Sequence, residues 1–116
     1  MGAIRRFEDI EAWKDAKLLA GQVYKVTDTW KDFSLKDQMR RASISIMANI
    51  AEGFARKGNK EFMQFMYISK ASASELQSHL YLALDLFYVS RDELDSMYEQ
   101  TDKTQRKLTN FIKMLR

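Results

Sequence analysis

The sequence predicts an all-α fold, an antiparallel up-down-up-down four-helix bundle that takes residues 1–116 as one domain. Three observations carry this reading. The 116 residues include no proline and only four glycines, whereas sheets and tight loops normally draw on both. Four segments repeat apolar residues at alternating steps of three and four, the period of a helix face. The gaps between the segments are short, so consecutive helices must lie side by side and antiparallel.

Composition narrows the class further. Hydrophobic residues make up 46% and charged residues 30% of the chain, a balance that supports one folded core. The absence of cysteine excludes disulfides and thiolate chemistry. No apolar run approaches a membrane span. The N-terminal residues carry neither an apolar signal core nor a myristoylation pattern, so the expected location is cytoplasmic.

Residues 1–8 are expected to form a short, loosely held arm carrying Arg5 and Arg6. The first helix is predicted over Asp9–Trp30, with Ile10, Trp13, Ala16, Ala20, Val23, Thr27 and Trp30 on one face. Acidic residues in its first turn suit the helix dipole. Ser34 and Asp37 resemble a capping box for the second helix, which runs to about Arg56 or Lys57. Gly58 is expected as its left-handed terminal residue and Asn59 as the next N-cap. The third helix is predicted over Lys60–Val89, with a seam of Phe62, Met66, Ser69, Ala73, Leu76, Leu80, Ala83 and Phe87. Ser90 and Glu93 form a capping box for the last helix. Its seam is Leu94, Met97, Thr101, Thr104, Leu108, Phe111 and Leu115. The methionines, among them Met39, Met63, Met66, Met97 and Met114, are expected as core filler. Trp13 and Tyr24 are expected to pack rather than cage a ligand.

The second helix has three faces. Leu35, Met39, Ala42, Ile46, Ile50 and Gly53 face the core. Ile44, Met47, Ala51 and Phe54 make a second apolar face. A helix apolar beyond one stripe is deeply buried or covered by another chain. A four-helix bundle does not surround its helices, so a homo-oligomer interface is expected there. Arg41, Ser45, Asn49, Glu52 and Arg56 form a polar stripe. It serves either as a structural network, with Glu52 pairing an arginine, or as an anion site.

Two stretches resemble one known family most closely. They are Phe7-Glu-Asp-Ile-Glu-Ala-Trp13 and Gln38-Met-Arg-Arg41-Ala-Ser-Ile-Ser45-Ile-Met-Ala-Asn49-Ile-Ala-Glu52-Gly53. Arg56, Glu61-Phe62 and Ala73-Ser-Glu75-Leu76 add to them. The family is the four-helix-bundle proteins encoded by intervening sequences in bacterial 23S ribosomal RNA genes, often labelled as ribosomal proteins. The resemblance implies an up-down bundle, often assembled as a homopentameric ring, with a suspected RNA-related role and no catalytic residue. The family's frequent Phe-Pro at the first inter-helix turn is replaced by Asp32-Phe33-Ser34.

Up-down topology sorts the charges. The net charge is only +3, yet the end formed by the chain start, the second turn and the last helix gathers nine basic residues. They are Arg5, Arg6, Arg56, Lys57, Lys60, Arg106, Lys107, Lys113 and Arg116, against five acidic residues there. The opposite end holds five basic and seven acidic residues. Repeated around a ring, such a basic end would multiply phosphate contacts and bind in a salt-sensitive way. The alternative is that these cations complement helix C-termini and keep the surface soluble.

Catalytic chemistry finds little support. His79 is the only histidine, and Glu75 with His79 is one Glu-x-x-x-His pair, too few ligands for a bundle metal site. No glycine loop cradles phosphate. No cofactor and no metal are expected. The predicted function is a non-enzymatic homo-oligomer that binds RNA or another nucleic acid through its basic end. The alternative is a scaffold for a protein partner without nucleic-acid contact. No membrane contact is expected.

Overall fold

A computed structural model describes residues 4–116. The chain enters through a turn closed by Asp9, whose carboxylate accepts from the backbone N–H of Arg5 and Arg6 at 3.0 and 3.3 Å. This produces one 3-10 turn, Phe7–Asp9, and lays Phe7 edge-on against Trp13 with ring centroids 5.1 Å apart. Residues 4–8 of the expected arm are therefore folded against the bundle; the rest of it, residues 1–3, lies outside the described residues.

Four helices follow: α1 (Glu11–Thr27), α2 (Phe33–Phe54), α3 (Asn59–Asp85) and α4 (Arg91–Leu115). Each packs against its neighbours in sequence, α1 closes the square against α4, and the backbones of diagonal helices stay apart across the shared core. The bundle measures 45 × 22 × 19 Å. That is the all-α, four-helix fold predicted above.

Helix α1 is shorter than the expected Asp9–Trp30, because Asp9 closes the 3-10 turn before it and Trp30 lies in the turn after it, and α2 ends at Phe54 rather than at Arg56 or Lys57. Three further boundaries differ for local reasons. Helix α2 is capped by Asp32 rather than Ser34: the Asp32 carboxylate accepts from Leu35 N–H at 3.0 Å, which starts the helix earlier. Gly58 is extended (φ −127°, ψ 157°) and precedes α3 as its N-cap, so it is not a left-handed terminator. Asn59 instead lies inside α3, and its amide donates to Leu115 O at 3.2 Å, tying the α4 C-terminus to the α3 N-terminus. Helix α3 stops before Phe87, which takes the left-handed conformation (φ 65°). Tyr88 N–H reaches Ala83 O at 2.9 Å and Phe87 N–H reaches Leu84 O at 3.0 Å. These two bonds are a Schellman termination. Phe87 is thus removed from the α3 seam and stands 93% exposed.

The remaining seam residues of α3 and all those of α4 are buried. In α1, the face predicted from Ile10 to Trp30 is buried except at the half-exposed Trp13, and it also includes Leu19 and Asp15. All six core residues expected in α2 are buried. Met39, Met66 and Met97 fill the core and Met63 flanks it, but Met114 is exposed. It lies on the side of the last turn of α4 turned away from the seam.

Several polar side chains inside the bundle are tied to backbone carbonyls. Ser69 donates to Ile46 O across α3 and α2 at 2.8 Å. Thr27 and Thr101 donate back to Val23 O and Met97 O within their own helices. Arg40 reaches from α2 to the last turn of α1. Its guanidinium donates to Thr27 Oγ1 and Tyr24 O and lies over the Tyr24 ring, 4.2 Å from its centroid. A cation at that helix C-terminus satisfies carbonyls the helix leaves open and complements its dipole.

Candidate nucleic-acid interface

The up-down path brings residues 4–10, the α2–α3 connection and the end of α4 to one end of the bundle. Eight of the nine predicted cations are exposed: Arg5, Arg6, Arg56, Lys57, Lys60, Lys113 and Arg116 at this end, and Arg106 further along α4 at the level of Lys70, toward the middle of the bundle. Their situations differ. Arg6 pairs with Glu8 at 2.6 Å. That hydrogen bond raises the arginine pKa and holds the Glu8 carboxyl below its usual value. The guanidinium of Arg56 lies over the Phe65 ring, 4.8 Å from its centroid. Arg116 donates to Tyr67 Oη at 3.3 Å.

Lys107 is the exception. Its ammonium lies 2.6 Å from Asp15 Oδ2, an α4–α1 ion pair in which Asp15 is only 9% exposed. Among the described residues that oxygen has no hydrogen-bond partner, so the ion pair is what compensates its burial. The pair is part of the fold, so Lys107 is not available to a phosphate in the way its neighbours are.

The polar stripe of α2 faces α3. Ser45 Oγ and Ser72 Oγ are 2.7 Å apart, and the Asn49 amide donates to Ser45 O and Oγ at 2.8 and 3.0 Å. Arg41 pairs with Asp37 at 3.0 Å, one turn back on the same helix. Glu52 is exposed, and among the described residues no arginine pairs with it. The stripe is thus a short serine–asparagine network at the α2–α3 seam, flanked by separate surface charges, rather than one converging anion pocket.

The second apolar face of α2 is also divided. Ile44 is exposed, whereas Met47 and Phe54 are half-buried and pack against the core; Phe54 meets Phe62 edge-on at 6.1 Å. Ala51 is half-buried. Large exposed apolar residues that the sequence reading did not single out include Leu18 of α1, Phe33 of α2, Ile68 and Leu82 of α3, and Leu86 just beyond it.

Two further residues of the basic end escaped the sequence reading. Lys70 lines a groove of about 360 Å³ between α3 and α4, with Asp102, Gln105, Arg106, Thr109 and Asn110. Tyr67 stands one turn away on α3, half exposed. Both were hidden because the seam residues Met66 and Ser69 dominate that stretch. The signal was present in the spacing: Lys60, Tyr67 and Lys70 fall on neighbouring sides of one helix.

His79 Nε2 and Glu75 Oε2 are 3.2 Å apart. No group of three potential metal ligands occurs among the described residues. No described helix is long and apolar enough to cross a membrane.

Fold and surface together define a class: a small all-helical bundle, charged oppositely at its two ends. A family model described as the 23S rRNA-intervening sequence protein matches residues 8–110. The chain belongs to that family. Among solved structures, it resembles the crystal structure of a protein of unknown function from the S23 ribosomal protein family of Bacteroides thetaiotaomicron VPI-5482. The two are 24% identical over 88% of this chain and 98% of that one, with a TM-score of 0.82. At that identity the likeness is one of fold. Comparison with curated proteins gives no match.

Proposed function

We propose that the protein is a non-enzymatic, cytoplasmic homo-oligomer, a pentameric ring, that binds RNA or another nucleic acid through its basic end. The observation that carries the reading is the segregation of charge. Seven exposed cations crowd one end of a 45 Å bundle, with Arg106 further along the same half, while acidic residues prevail at the other end. A ring of parallel copies would set several such ends side by side over one phosphate backbone, and affinity would rise with the number of ends engaged. Assembly is supported by the exposed Ile44 of α2 and by Ile68, Leu82 and Leu86 on the neighbouring side of α3. The ring itself is what the family resemblance implies.

The test combines light scattering with fluorescence anisotropy of a short structured RNA over a salt series. The expected result is an oligomer that binds at low salt and releases steeply as salt rises. Reversing Arg56, Lys57 and Lys60 to Glu should abolish binding and leave the helical content unchanged. Wild-type protein that ignores RNA at low salt overturns the nucleic-acid reading. A monomeric mass overturns the assembly, and an oligomer undisturbed by Ile44→Glu and Ile68→Glu together overturns the placement of its interface.

A second reading, a scaffold for a protein partner, is favoured by a different observation. Phe33 (75% exposed) and Phe87 (93% exposed) stand out at the acidic end, where Trp30 and Tyr88 stack 4.8 Å apart and join the two turns. Exposed aromatics on a rigid base are the usual anchors of protein contacts.

A further inference from the structure

We infer that the nucleic acid taken by the basic end is single-stranded, and that Tyr67, one turn from the α3–α4 groove on α3, is the platform on which one of its bases stacks. This rests on the proposed nucleic-acid function and specifies its ligand.

The groove supplies both halves of single-strand recognition. One half is charge. Lys70 and Arg106 line the groove, and Arg116 holds its guanidinium against Tyr67 Oη at 3.3 Å. The one carboxylate in the lining, Asp102, is engaged by the Gln77 amide at 2.9 Å. The groove floor is rigid, because Gln105 of α4 donates to Lys70 O and Ser74 Oγ of α3 at 3.0 and 2.9 Å.

The other half is a ring. Tyr67 is 48% exposed, and the hydrogen bond from Arg116 fixes its far end. A fixed, half-open phenol beside several cations offers a base its π-face and offers the flanking phosphates their counter-charges. Every base has such a face, so this recognition tolerates any sequence. It requires an unstacked base, which a duplex does not present. On the other flank of α3, the Arg56 guanidinium already covers Phe65, so that ring is taken and Tyr67 remains the open one. The α3–α4 side is also distinct from the Ile44 and Ile68 side assigned to assembly.

The experiment compares a labelled 12-nucleotide single-stranded RNA of mixed sequence with its duplex at low salt. It uses the full-length protein and the variants Tyr67→Leu, Tyr67→Phe and Lys70→Gln with Arg106→Gln. The single strand should bind at least tenfold more tightly than the duplex. Tyr67→Leu should weaken single-strand binding by about tenfold or more and leave duplex binding unchanged, while Tyr67→Phe, which keeps the ring but loses the bond from Arg116, should lose far less than Tyr67→Leu. The charge variant should weaken both. Circular dichroism checks that each variant is folded. If Tyr67→Leu binds the single strand as the wild type does, or if duplex and single strand bind equally, the stacking site is wrong although the electrostatic reading survives. If the wild type binds neither RNA, the proposed function itself fails, and this inference with it.

Discussion

Replacing Gly53 by alanine is expected to destabilise the fold by about 1–2 kcal/mol, although alanine is the better helix former by about 1 kcal/mol in a helix interior. The reason lies in how closely α2 approaches α3 near the basic end. A Cβ placed on Gly53 would sit 2.8 Å from Phe62 Cδ1, 2.8 Å from Phe65 Cβ and 3.3 Å from Met66 Cε. Carbon atoms pack comfortably at about 3.5–4.0 Å, so two of these contacts are short by roughly 0.8 Å. The methionine end can swing away and the Phe62 ring can tilt. Phe65 Cβ cannot, because it is fixed to the α3 backbone, and relief requires the two helices to part.

Overpacking of this kind costs about 1–3 kcal/mol. The propensity gain opposing it is reduced, since Gly53 is the next-to-last residue of α2 and helix ends fray. Separation of the helices would also loosen the contact between Phe54 and Phe62. Gly21 provides the internal control. It lies within α1, is exposed, and an added Cβ there would meet nothing within 4 Å. Gly21→Ala should therefore stabilise by about 0.5–1 kcal/mol. Urea denaturation of both single variants and the double variant measures the difference. The two sites are on different helices with no shared partner, so their effects should add. If Gly53→Ala stabilises the protein as much as Gly21→Ala, the close approach of α2 and α3 is not a constraint and this reasoning is refuted.

Other perturbations test other parts of the structure. Phe87→Gly should stabilise by about 1 kcal/mol in the same assay, because glycine carries no Cβ penalty at φ 65° and the exposed ring forfeits little packing; a loss of stability would mean that the Phe87 ring is packed in solution. Lys107→Ala should cost about 1–3 kcal/mol by leaving the Asp15 carboxylate buried without its partner, and Asp15→Asn combined with it should recover part of the loss; additive losses would show that the pair is not coupled. Tyr98 should titrate above its usual pKa of 10.0, principally because of the neighbouring Tyr81 charge. Its raised folded pKa means that its stabilising contribution is complete below the unfolded value and is lost as pH rises through the folded one; phenolate absorbance should show a late-titrating tyrosine that Tyr81→Phe moves back toward 10.0.

The fold was legible where the sequence carries a period. The seams of α2 and α4 could be read from steps of three and four, since burial of those residues is what makes each helix stable. The helix ends were less legible. Asp32 and Ser34 are both good caps two residues apart, and only the three-dimensional turn decides that Asp32 takes the bond to Leu35 N–H. Phe87 satisfies the heptad step, but the chain must turn there. The Schellman bonds to Ala83 and Leu84 outweigh the preference of a bulky residue for negative φ. At the candidate site, charge could be counted from topology but partners could not. Lys107 was indistinguishable from Arg106 until α1 and α4 were placed together, because its partner Asp15 lies far away in sequence.

The same placement narrows where a second copy could sit. The flanks of α2 are occupied within the monomer: Arg40 grips α1 on one side, and Ser45 with Gly53 meets α3 on the other. Of the four apolar residues assigned to an interface, this leaves Ile44 open, while Met47 and Phe54 are held by the core. One isoleucine is too little for a stable contact, since specific interfaces bury about 800 Å² per partner. On the proposed assembly, Ile68, Leu82 and Leu86 supply apolar surface beside it, so the interface would run across the α2–α3 edge rather than along α2 alone. Ile68→Glu should then disperse the oligomer at least as effectively as Ile44→Glu, and sedimentation of the two variants decides it. If only Ile44→Glu disperses the assembly, α2 acts by itself and the α3 residues have another occupant.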